Sequence, residues 1–394
     1  MKDENEIYVR FKNMNKISFC TICMNRLSHL KETLPANIRE NKNYPNVEFV
    51  VLDYNSQDGM EDWMRSNMNE YIESGLLKYY KTYEPLYFNI SHSKNMISLL
   101  SSGDLIAFVD ADNYAGENYV DWLAATFAEY GNNTVITTLR KTHIPFRDQG
   151  GKLCCCRDLF KLVRGFDESL VGYGIDDVDL VNRLERAGGN RVFIENPDFL
   201  RYIGHTNEER MNNYALFKDL ENIYLQRSDF REVFNTILYL FKDSTFLHVE
   251  FEFIESMKED LIATHSGWRI KDNGHERGSF GRTPDGLTLN FDNKKNMLCQ
   301  LQTDGLLHSV SGEENILWDN IRKDNVLYTE LIMGYGECLN RMKYKENEVS
   351  LTSTNQNGYG KGIAYLNFNR AAPIRVEMPG RTFPVDRFYS DKYQ

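Results

Sequence analysis

The first half of the chain alternates between short apolar runs and longer amphipathic stretches. The apolar runs read KISFCTICM, NVEFVVLDY, LLKYYKTYE and DLIAFVDAD, and they begin at Lys16, Asn46, Leu76 and Asp104. The stretches between them carry apolar residues at helical spacing. Strands that are separated by helices predict an α/β domain with a mainly parallel sheet and helices on both faces.

The second half has a different pattern. A helical pattern rich in aromatic residues extends from about Asn207 to Thr264, and short strands between Gly, Asn and Asp-Gly turns follow it. We therefore predict an α/β domain over residues 1–264, with a helical extension from about residue 207. A smaller β-rich domain of unknown role is predicted over residues 265–394.

Polar side chains follow the predicted strands of the first domain. Arg26, Asp53 and the pair Asp110 and Asp112 come where three different strands end. Ligands of open α/β sheets bind outside the carboxyl ends of the strands. The pattern predicts one ligand site at this edge.

The motif Asp110-Ala111-Asp112 ends a hydrophobic strand. Two carboxylates at this spacing suit a hard divalent cation, which would bridge them to a phosphate-bearing ligand. A solvated turn is the structural alternative, because the same residues are good turn formers.

A second acidic motif lies in GFDESLVGYGIDDVDLVNRL. Two glycines flank Tyr173, and Asp176, Asp177 and Asp179 follow at an apparent helix start. Acidic residues favour the first turn of any helix. Three carboxylates in four residues exceed that need, and one of them could accept a proton from a hydroxyl group.

Three further residues each permit two interpretations, one as part of a ligand site and one without a function in binding. His205 follows a strand-like stretch and could complete a metal site begun by Asp112, although a lone histidine is more often structural. Lys94 lies on the helix before the Asp110 strand, and Arg26 ends the first strand. Each of these two cations could approach a phosphate or remain solvated.

Composition limits the classes of protein. The 394 residues carry a formal net charge of −11, which disfavours nucleic-acid binding. No run of about 18 apolar residues predicts a transmembrane helix. The charged start lacks a signal-peptide core, so we expect a cytoplasmic protein, with peripheral membrane association as a variant. The consecutive Cys154, Cys155 and Cys156 predict a buried strand.

The order of these motifs resembles inverting glycosyltransferases of the GT-A fold. The nearest types are the family 2 enzymes, the β-1,4-galactosyltransferases and the chondroitin polymerases. ICMNRLSHL is similar to the first-strand segment of the galactosyltransferases, and GYGIDDVDLVNRL is similar to their second acidic motif. The resemblance covers about residues 16–227.

The resemblance implies a nucleotide-sugar site. Asp53 would contact the uracil or ribose of a UDP-sugar, although Tyr54 stands where many relatives have a second acidic residue. Asp110 would face the ribose or the water shell of the metal. Asp112 and His205 would bind Mn²⁺ or Mg²⁺. The cations Arg26 and Lys94 would approach the diphosphate.

The acceptor side follows from the same resemblance. Asp177 would be the catalytic base, Asp176 would contact the acceptor sugar, and Tyr173 would stack on a sugar ring where many relatives have Trp. The expected reaction transfers a hexose or N-acetylhexosamine, with galactose and GalNAc types favoured, to a carbohydrate hydroxyl in polysaccharide or glycoconjugate synthesis. We further expect a homo-oligomer or a pathway partner bound through the C-terminal domain.

Two alternatives stay open at this point. A carbohydrate-binding or scaffold protein with a degenerate transferase domain would share the fold. A nucleotidyltransferase would share the acidic metal site, but it would want a glycine-rich phosphate loop after the first strand, and CMNRLSHL has no glycine.

Overall fold

The chain divides into two compact units. The first contains residues 1–205 and 343–394, and the second contains residues 206–342. The computed structural model describes residues 15–139, 151–226, 234–253, 268–293, 295–301, 306–310, 316–323, 326–349 and 354–380.

The first unit is a sheet covered by helices. Its strands are β1 (Ile17–Cys23), β2 (Val47–Tyr54), β3 (Leu77–Thr82), β4 (Leu105–Phe108), β5 (Thr134–Thr137), β6 (Leu153–Cys156), β7 (Asn190–Phe193), β16 (Gly358–Leu366) and β17 (Pro373–Pro379). The helices between them are Leu27–Asn41, Met60–Asn67, Asn69–Glu73, Ile90–Leu100, Tyr119–Tyr130, Arg157–Leu162 and Asp176–Arg186, and a 3-10 helix covers Pro197–Leu200.

Among the described residues this sheet has nine strands, in the order β17-β16-β3-β2-β1-β4-β6-β5-β7. The centre β3-β2-β1-β4 is parallel, whereas β6, β16 and β17 run antiparallel to their neighbours. Residues of β1 contribute to two buried clusters, Phe19 to one and Cys20 to the other. A strand that is buried on both faces needs apolar residues throughout, which explains the run KISFCTICM.

The structure confirms the predicted α/β class. It also confirms the cysteine strand, since β6 contains Cys154, Cys155 and Cys156 and pairs with both β4 and β5. The sheet is more mixed than the mainly parallel one predicted.

The second unit is built on a closed antiparallel barrel. Two short helices, Asn207–Met211 and Ala215–Asp219, precede β8 (Leu220–Gln226), β9 (Phe234–Phe241), β10 (Thr245–Phe253), β11 (Trp268–Thr283), β12 (Gly286–Phe291), β13 (Asn296–Leu301), β14 (Leu307–Ser309) and β15 (Leu317–Ile321). A buried apolar cluster that includes Leu240, Phe246, Leu289 and Trp318 forms its core. The helix Val326–Val349 follows β15 and contains the boundary between the two units.

In the described residues beyond 219 the predicted helical extension is wrong, because β8, β9 and β10 lie there, and its remaining residues, 227–233 and 254–264, lie outside the described part of the chain. In β9, Leu238 and Leu240 join the barrel core, whereas the Tyr239 hydroxyl donates to the carbonyl of Leu331 at 3.0 Å. Both faces of this strand are buried, so the sequence lacks the alternation that distinguishes a strand from a buried helix.

The structure also divides the chain at other places than residue 265. The barrel begins at β8, well before that position, and β16 and β17 belong to the sheet of the first unit rather than to a β-rich C-terminal domain. The cause is pairing: Tyr365 and Leu366 of β16 pair with Lys81 and Tyr80 of β3. No helix in the described part of the chain is long and apolar enough to cross a membrane.

Candidate active site

The Asp110-Ala111-Asp112 motif forms a tight turn directly after β4. The amide of Asn113 donates to the carbonyl of Asp110 at 2.9 Å. Two buried side chains of the helix Leu27–Asn41 hold this turn through hydrogen bonds to its backbone carbonyl groups. The Thr33 hydroxyl donates to the carbonyl of Ala111 at 2.6 Å, and the Asn37 amide donates to the carbonyl of Asn113 at 3.0 Å. The turn is therefore an ordered part of the sheet edge.

Asp112 and His205 lie side by side although 93 positions separate them. The Nε2 atom of His205 is 2.8 Å from Oδ2 of Asp112. Backbone pairing aligns the two segments, because the amide of Ile203 donates to the carbonyl of Asp112 at 2.8 Å and the amide of Tyr114 donates to the carbonyl of Arg201 at 3.0 Å. The structure thus brings the two predicted metal-binding side chains together.

The two aspartates of the motif differ electrostatically. Burial raises the pKa of Asp110, and the neighbouring Asp112 carboxylate adds to the rise against the opposing charge of Lys94. Burial acts in the same sense on Asp112, but the hydrogen bond and charge of His205, together with the hydrogen bond from Asn113, outweigh it and hold the pKa of Asp112 below its ordinary value. Asp112 is therefore the more readily ionised of the two carboxyl groups.

The second acidic motif begins the helix Asp176–Arg186. Gly172 and Gly174 before it have φ of 101° and 86°, and Ile175 has φ of 73°. These left-handed conformations suit glycine and are strained for Ile175, a β-branched residue. Such strain is typical of functional loops, where surrounding structure holds it.

One buried lysine holds the first two carboxylates of this helix. The Nζ atom of Lys94, which is 1% exposed, is 2.7 Å from Oδ1 of Asp177 and 3.6 Å from Oδ2 of Asp176. That Asp176 oxygen is buried and has no hydrogen-bond partner among the described residues. Lys94 is thus enclosed as the counter-ion of the acidic pair, and its approach to a diphosphate stays a prediction.

The pKa values in this cluster are strongly shifted. Burial, together with the charges of Asp176 and Asp110, raises the pKa of Asp177 to about 8 against the opposing charge of Lys94. Burial would lower the pKa of Lys94, but the charges of Asp177, Asp110 and Asp176 raise it well above its ordinary value. These charges also place Asp110 near Asp177, so the two acidic motifs form one site.

Asp179 has a structural role instead. Its Oδ2 atom accepts hydrogen bonds from Arg183 Nε at 2.8 Å and Nη2 at 2.6 Å, and its Oδ1 atom accepts one from Asn347 at 3.0 Å. The excess of acid in this helix is thus partly explained by a buried ion pair.

Asp53, predicted to contact the uracil or ribose of the donor, lies at the end of β2. It is fully buried, its Oδ1 atom accepts a hydrogen bond from the amide of Ser56 at 2.7 Å, and its Oδ2 atom accepts from Tyr79 at 2.6 Å and Lys81 at 3.0 Å. A carboxylate held by three donors shapes the loop after β2, and its contact with the base or ribose stays a prediction. Tyr54, beside it, bonds its hydroxyl to Nδ1 of His92 at 2.7 Å.

The two remaining predicted residues lie at the expected edge. Arg26 is partly buried between the end of β1 and the helix Leu27–Asn41, and Tyr173 is partly buried in the loop before Asp176. The predicted contacts of Arg26 with a diphosphate and of Tyr173 with a sugar ring stay predictions.

Two further residues of the site are absent from the sequence-based set. Gly151 packs so tightly on Asp110 that a Cβ atom there would lie 2.0 Å from Oδ2 of Asp110. Lys152 is buried beside it, 1% exposed, with Asp110 and Asp112 among the charges that act on it. The GGK sequence before β6 is the signal that could have found them, because a glycine pair marks a close approach of the backbone.

Two family models match this part of the chain. Residues 18–152 match the model described as glycosyl transferase family 2, and residues 137–209 match the model described as the N-terminal domain of galactosyltransferase. No curated protein matches the chain.

Solved structures with partial similarity include three nucleotide-sugar enzymes. A mannosyltransferase from Pyrobaculum calidifontis, in complex with GDP-mannose and Mn²⁺, is 17% identical, covers 52% of this chain and 64% of its own, and has a TM-score of 0.41. Glucosyl-3-phosphoglycerate synthase from Mycobacterium tuberculosis, with Mn²⁺, UDP and phosphoglyceric acid, is 16% identical over 53% and 77%, with a TM-score of 0.37. GalNAc-T7 with UDP, GalNAc and Mn²⁺ is 13% identical over 79% and 72%, with a TM-score of 0.39. This chain thus spans under two thirds of the length of the mannosyltransferase.

The family assignment rests on the two sequence matches. They cover the turn with Asp110 and Asp112, the Asp176–Arg186 helix and His205, and they confirm the resemblance that the order of the motifs predicts. Within residues 18–209 the chain is therefore similar to glycosyltransferases of family 2 and to the N-terminal domain of galactosyltransferase.

Proposed function

We propose that this glycosyltransferase is an inverting, metal-dependent enzyme that transfers a hexose or N-acetylhexosamine from a UDP-sugar to a carbohydrate hydroxyl. The observation that carries the proposal is the presence of two pairs, Asp112 with His205 and Lys94 with Asp177, each with a charged member that acts on the buried Asp110. The pair Asp112 and His205 suits a metal that binds the donor diphosphate. The pair Lys94 and Asp177 suits deprotonation of the acceptor hydroxyl.

The first pair fits a divalent cation. A carboxylate oxygen and an imidazole nitrogen are both accepted ligands of Mn²⁺, and the two atoms already lie 2.8 Å apart. The described residues contain no group of three or more His, Cys, Asp or Glu that could hold a metal. Two protein ligands leave coordination positions for oxygens of the donor diphosphate. When bound, the cation would offset the negative charge that develops on the leaving diphosphate.

The second pair fits a general base. Asp177 accepts the proton of the acceptor hydroxyl while that oxygen forms a bond to the anomeric carbon of the donor sugar. The bond between the anomeric carbon and the diphosphate oxygen breaks, and its electron pair leaves with UDP. One in-line displacement inverts the anomeric configuration. Lys94 keeps the Asp177 carboxylate in place and carries the counter-charge when the base is ionised.

The acceptor side is supported by a buried oxygen without a hydrogen-bond partner and by loop geometry. Asp176 has a buried oxygen without a hydrogen-bond partner among the described residues, and Tyr173 lies three positions before it in the strained loop. A sugar hydroxyl donating to Asp176 would satisfy that oxygen, and Tyr173 would stack on the ring. Galactose and GalNAc are the favoured donor sugars because of the galactosyltransferase-type match at residues 137–209.

The test is a panel of UDP-sugars incubated with Mn²⁺, with and without EDTA, with free UDP as the readout. We expect release from one donor, increased by a carbohydrate acceptor, and lost both with EDTA and in Asp112→Ala. Absence of both UDP release and UDP binding by calorimetry would reject the proposal and favour a binding protein with a degenerate site.

A further inference from the structure

Lys152 joins the two segments that carry Asp112 and His205. It lies just before β6, and its Nζ atom donates hydrogen bonds to the carbonyl of Tyr114, at 2.6 Å, and to the carbonyl of Phe199. Tyr114 follows Asp112 by two positions, and Phe199 precedes His205 by six. The ammonium group of Lys152 thus contacts both chain segments that lead to the proposed metal ligands.

These segments form a short antiparallel ribbon. Residues 112–114 pair with residues 201–203 through two backbone hydrogen bonds and a bridge between Asn113 and Tyr202. The side chains of Asp112 and His205 meet at one end of the ribbon, and Lys152 lies at the other end. Because so few backbone bonds hold the ribbon, a cross-link at its far end has a large share in fixing its register.

Burial of a lysine side chain at this position is energetically unfavourable. Burial lowers the pKa of Lys152 to about 7, against the opposing charge of Asp110. An apolar side chain of the same length would avoid this cost but would leave the carbonyls of Tyr114 and Phe199 without their donor. The aromatic face of Tyr119, whose centroid is 5.7 Å from Nζ, offers a further weak contact.

We infer that Lys152 is a positioning residue that clamps the ribbon and so holds Asp112 and His205 in the geometry for a shared divalent cation. It contacts neither side chain through a hydrogen bond of its own and acts through the backbone of both segments. The clamp itself follows from the contacts of Lys152, whereas its effect on the metal rests on the proposed function.

The first experiment measures the clamp without metal or donor. Hydrogen exchange, followed by mass spectrometry, compares wild type with Lys152→Met in peptides that cover residues 110–116 and 198–205. We expect exchange to be faster in both peptides, by about tenfold or more, because the ribbon opens locally. Lys78→Met is the matched control, since Lys78 pairs with Glu48 at 2.8 Å away from the site and should leave both peptides unchanged.

The second experiment measures Mn²⁺ affinity by calorimetry in the presence of UDP. Lys152→Met should weaken it by about 10-fold to 100-fold, the usual effect of losing a group that orients metal ligands. Lys152→Gln, which keeps an N–H donor, should recover part of the loss. If Lys152→Met does not fold, Lys152→Leu, which likewise lacks an N–H donor, takes its place under the same criteria.

Two results would overturn the inference. One is unchanged exchange in both peptides, and the other is an Mn²⁺ affinity equal to that of wild type in a folded variant. A wild-type protein that binds neither Mn²⁺ nor UDP would instead reject the proposed function, while the exchange experiment would still decide whether Lys152 clamps the ribbon.

Discussion

Lys94 Nζ lies 2.7 Å from Asp177 Oδ1, and the lysine side chain is 1% exposed. Asp176 and Asp110 contribute further negative charge to the same lysine. One cation therefore balances three carboxylates in a buried site. Burial and this excess of negative charge raise the pKa of Asp177 and make its carboxylate a stronger base than that of a surface aspartate.

Replacement of Asp177 should separate activity from stability. Asp177→Asn removes the proposed base, so we expect kcat to fall by about 10²-fold to 10⁴-fold. Its folded pKa of about 8 lies above the ordinary value, so the ionised carboxylate destabilises the fold as pH rises through that value. The variant should thus unfold in urea at pH 8.5 with a free energy at least equal to that of wild type.

Asp179→Asn is the matched control for this variant. It lies two positions away in the same helical turn, and it breaks the buried contact of Asp179 with Arg183. We expect a loss of about 3 kcal/mol or more in the free energy of unfolding. An Asp177→Asn variant that lost as much stability as Asp179→Asn would show Asp177 to be a structural acid.

The rate should depend on pH with a defined sign. Asp177 acts as a base only when it is deprotonated, and its pKa is raised to about 8. We expect kcat/KM for the donor to rise with pH through that region and to level off above it. The measurement is UDP release at saturating Mn²⁺ between pH 6 and 9.5, with product stability checked separately. A profile that is flat through this range would contradict the assignment of the base.

Loss of Lys94 should destabilise the fold. Lys94→Met leaves the buried Asp176 and the partly buried Asp177 without their counter-ion, which costs about 3–5 kcal/mol in the free energy of unfolding at about pH 9, where Asp177 is ionised. Urea unfolding checks the value. The deficit should shrink at pH 5, where the raised pKa of Asp177 leaves it protonated. A deficit that does not change with pH would indicate lost packing rather than unbalanced charge.

Metal and UDP should bind cooperatively. Asp112 and His205 offer only two ligands, so the diphosphate oxygens of UDP would complete the coordination. We expect Mn²⁺ affinity to rise by about 5-fold to 150-fold when UDP is present, and UDP affinity to rise by the same factor with Mn²⁺. Calorimetry of both ligands measures this coupling. His205→Ala should reduce it, whereas His308→Ala in the barrel unit should not, and independent binding in the wild type would contradict the shared site.

Sequence patterns could predict the two ends of this site because strand ends and helix starts have local signals. The apolar run before Asp110 and the Gly-Tyr-Gly loop before Asp176 both mark their positions in the chain. Sequence patterns could not predict how the Asp53 carboxylate is held, since its three hydrogen-bond donors lie at Ser56, Tyr79 and Lys81. Tyr79 and Lys81 lie on β3, and the pairing of β2 with β3 is fixed by the sheet rather than by the local sequence.

The barrel shows the same limit at the level of the fold. Strand β9 has buried residues on both faces, so its pattern fits a helix as well as a strand. Likewise, β16 has turn-rich neighbours that are typical of a small β domain, but its pairing with β3 places it in the first sheet. Long-range pairing decides both cases, and a single sequence carries little information about it.

Gly151 provides the sharpest steric test of the site. A Cβ atom at this position would lie 2.0 Å from Oδ2 of Asp110 and 2.8 Å from its Cγ, so Gly151→Ala must displace that carboxylate. We expect a stability loss of about 1–3 kcal/mol from overpacking, together with weaker UDP binding in the presence of Mn²⁺. Gly281→Ala is the control, because nothing lies within 4 Å of a Cβ atom there. Equal UDP affinity in wild type and a folded Gly151→Ala would mean that Asp110 has no part in holding the donor, because the substitution moves this carboxylate before it moves anything else.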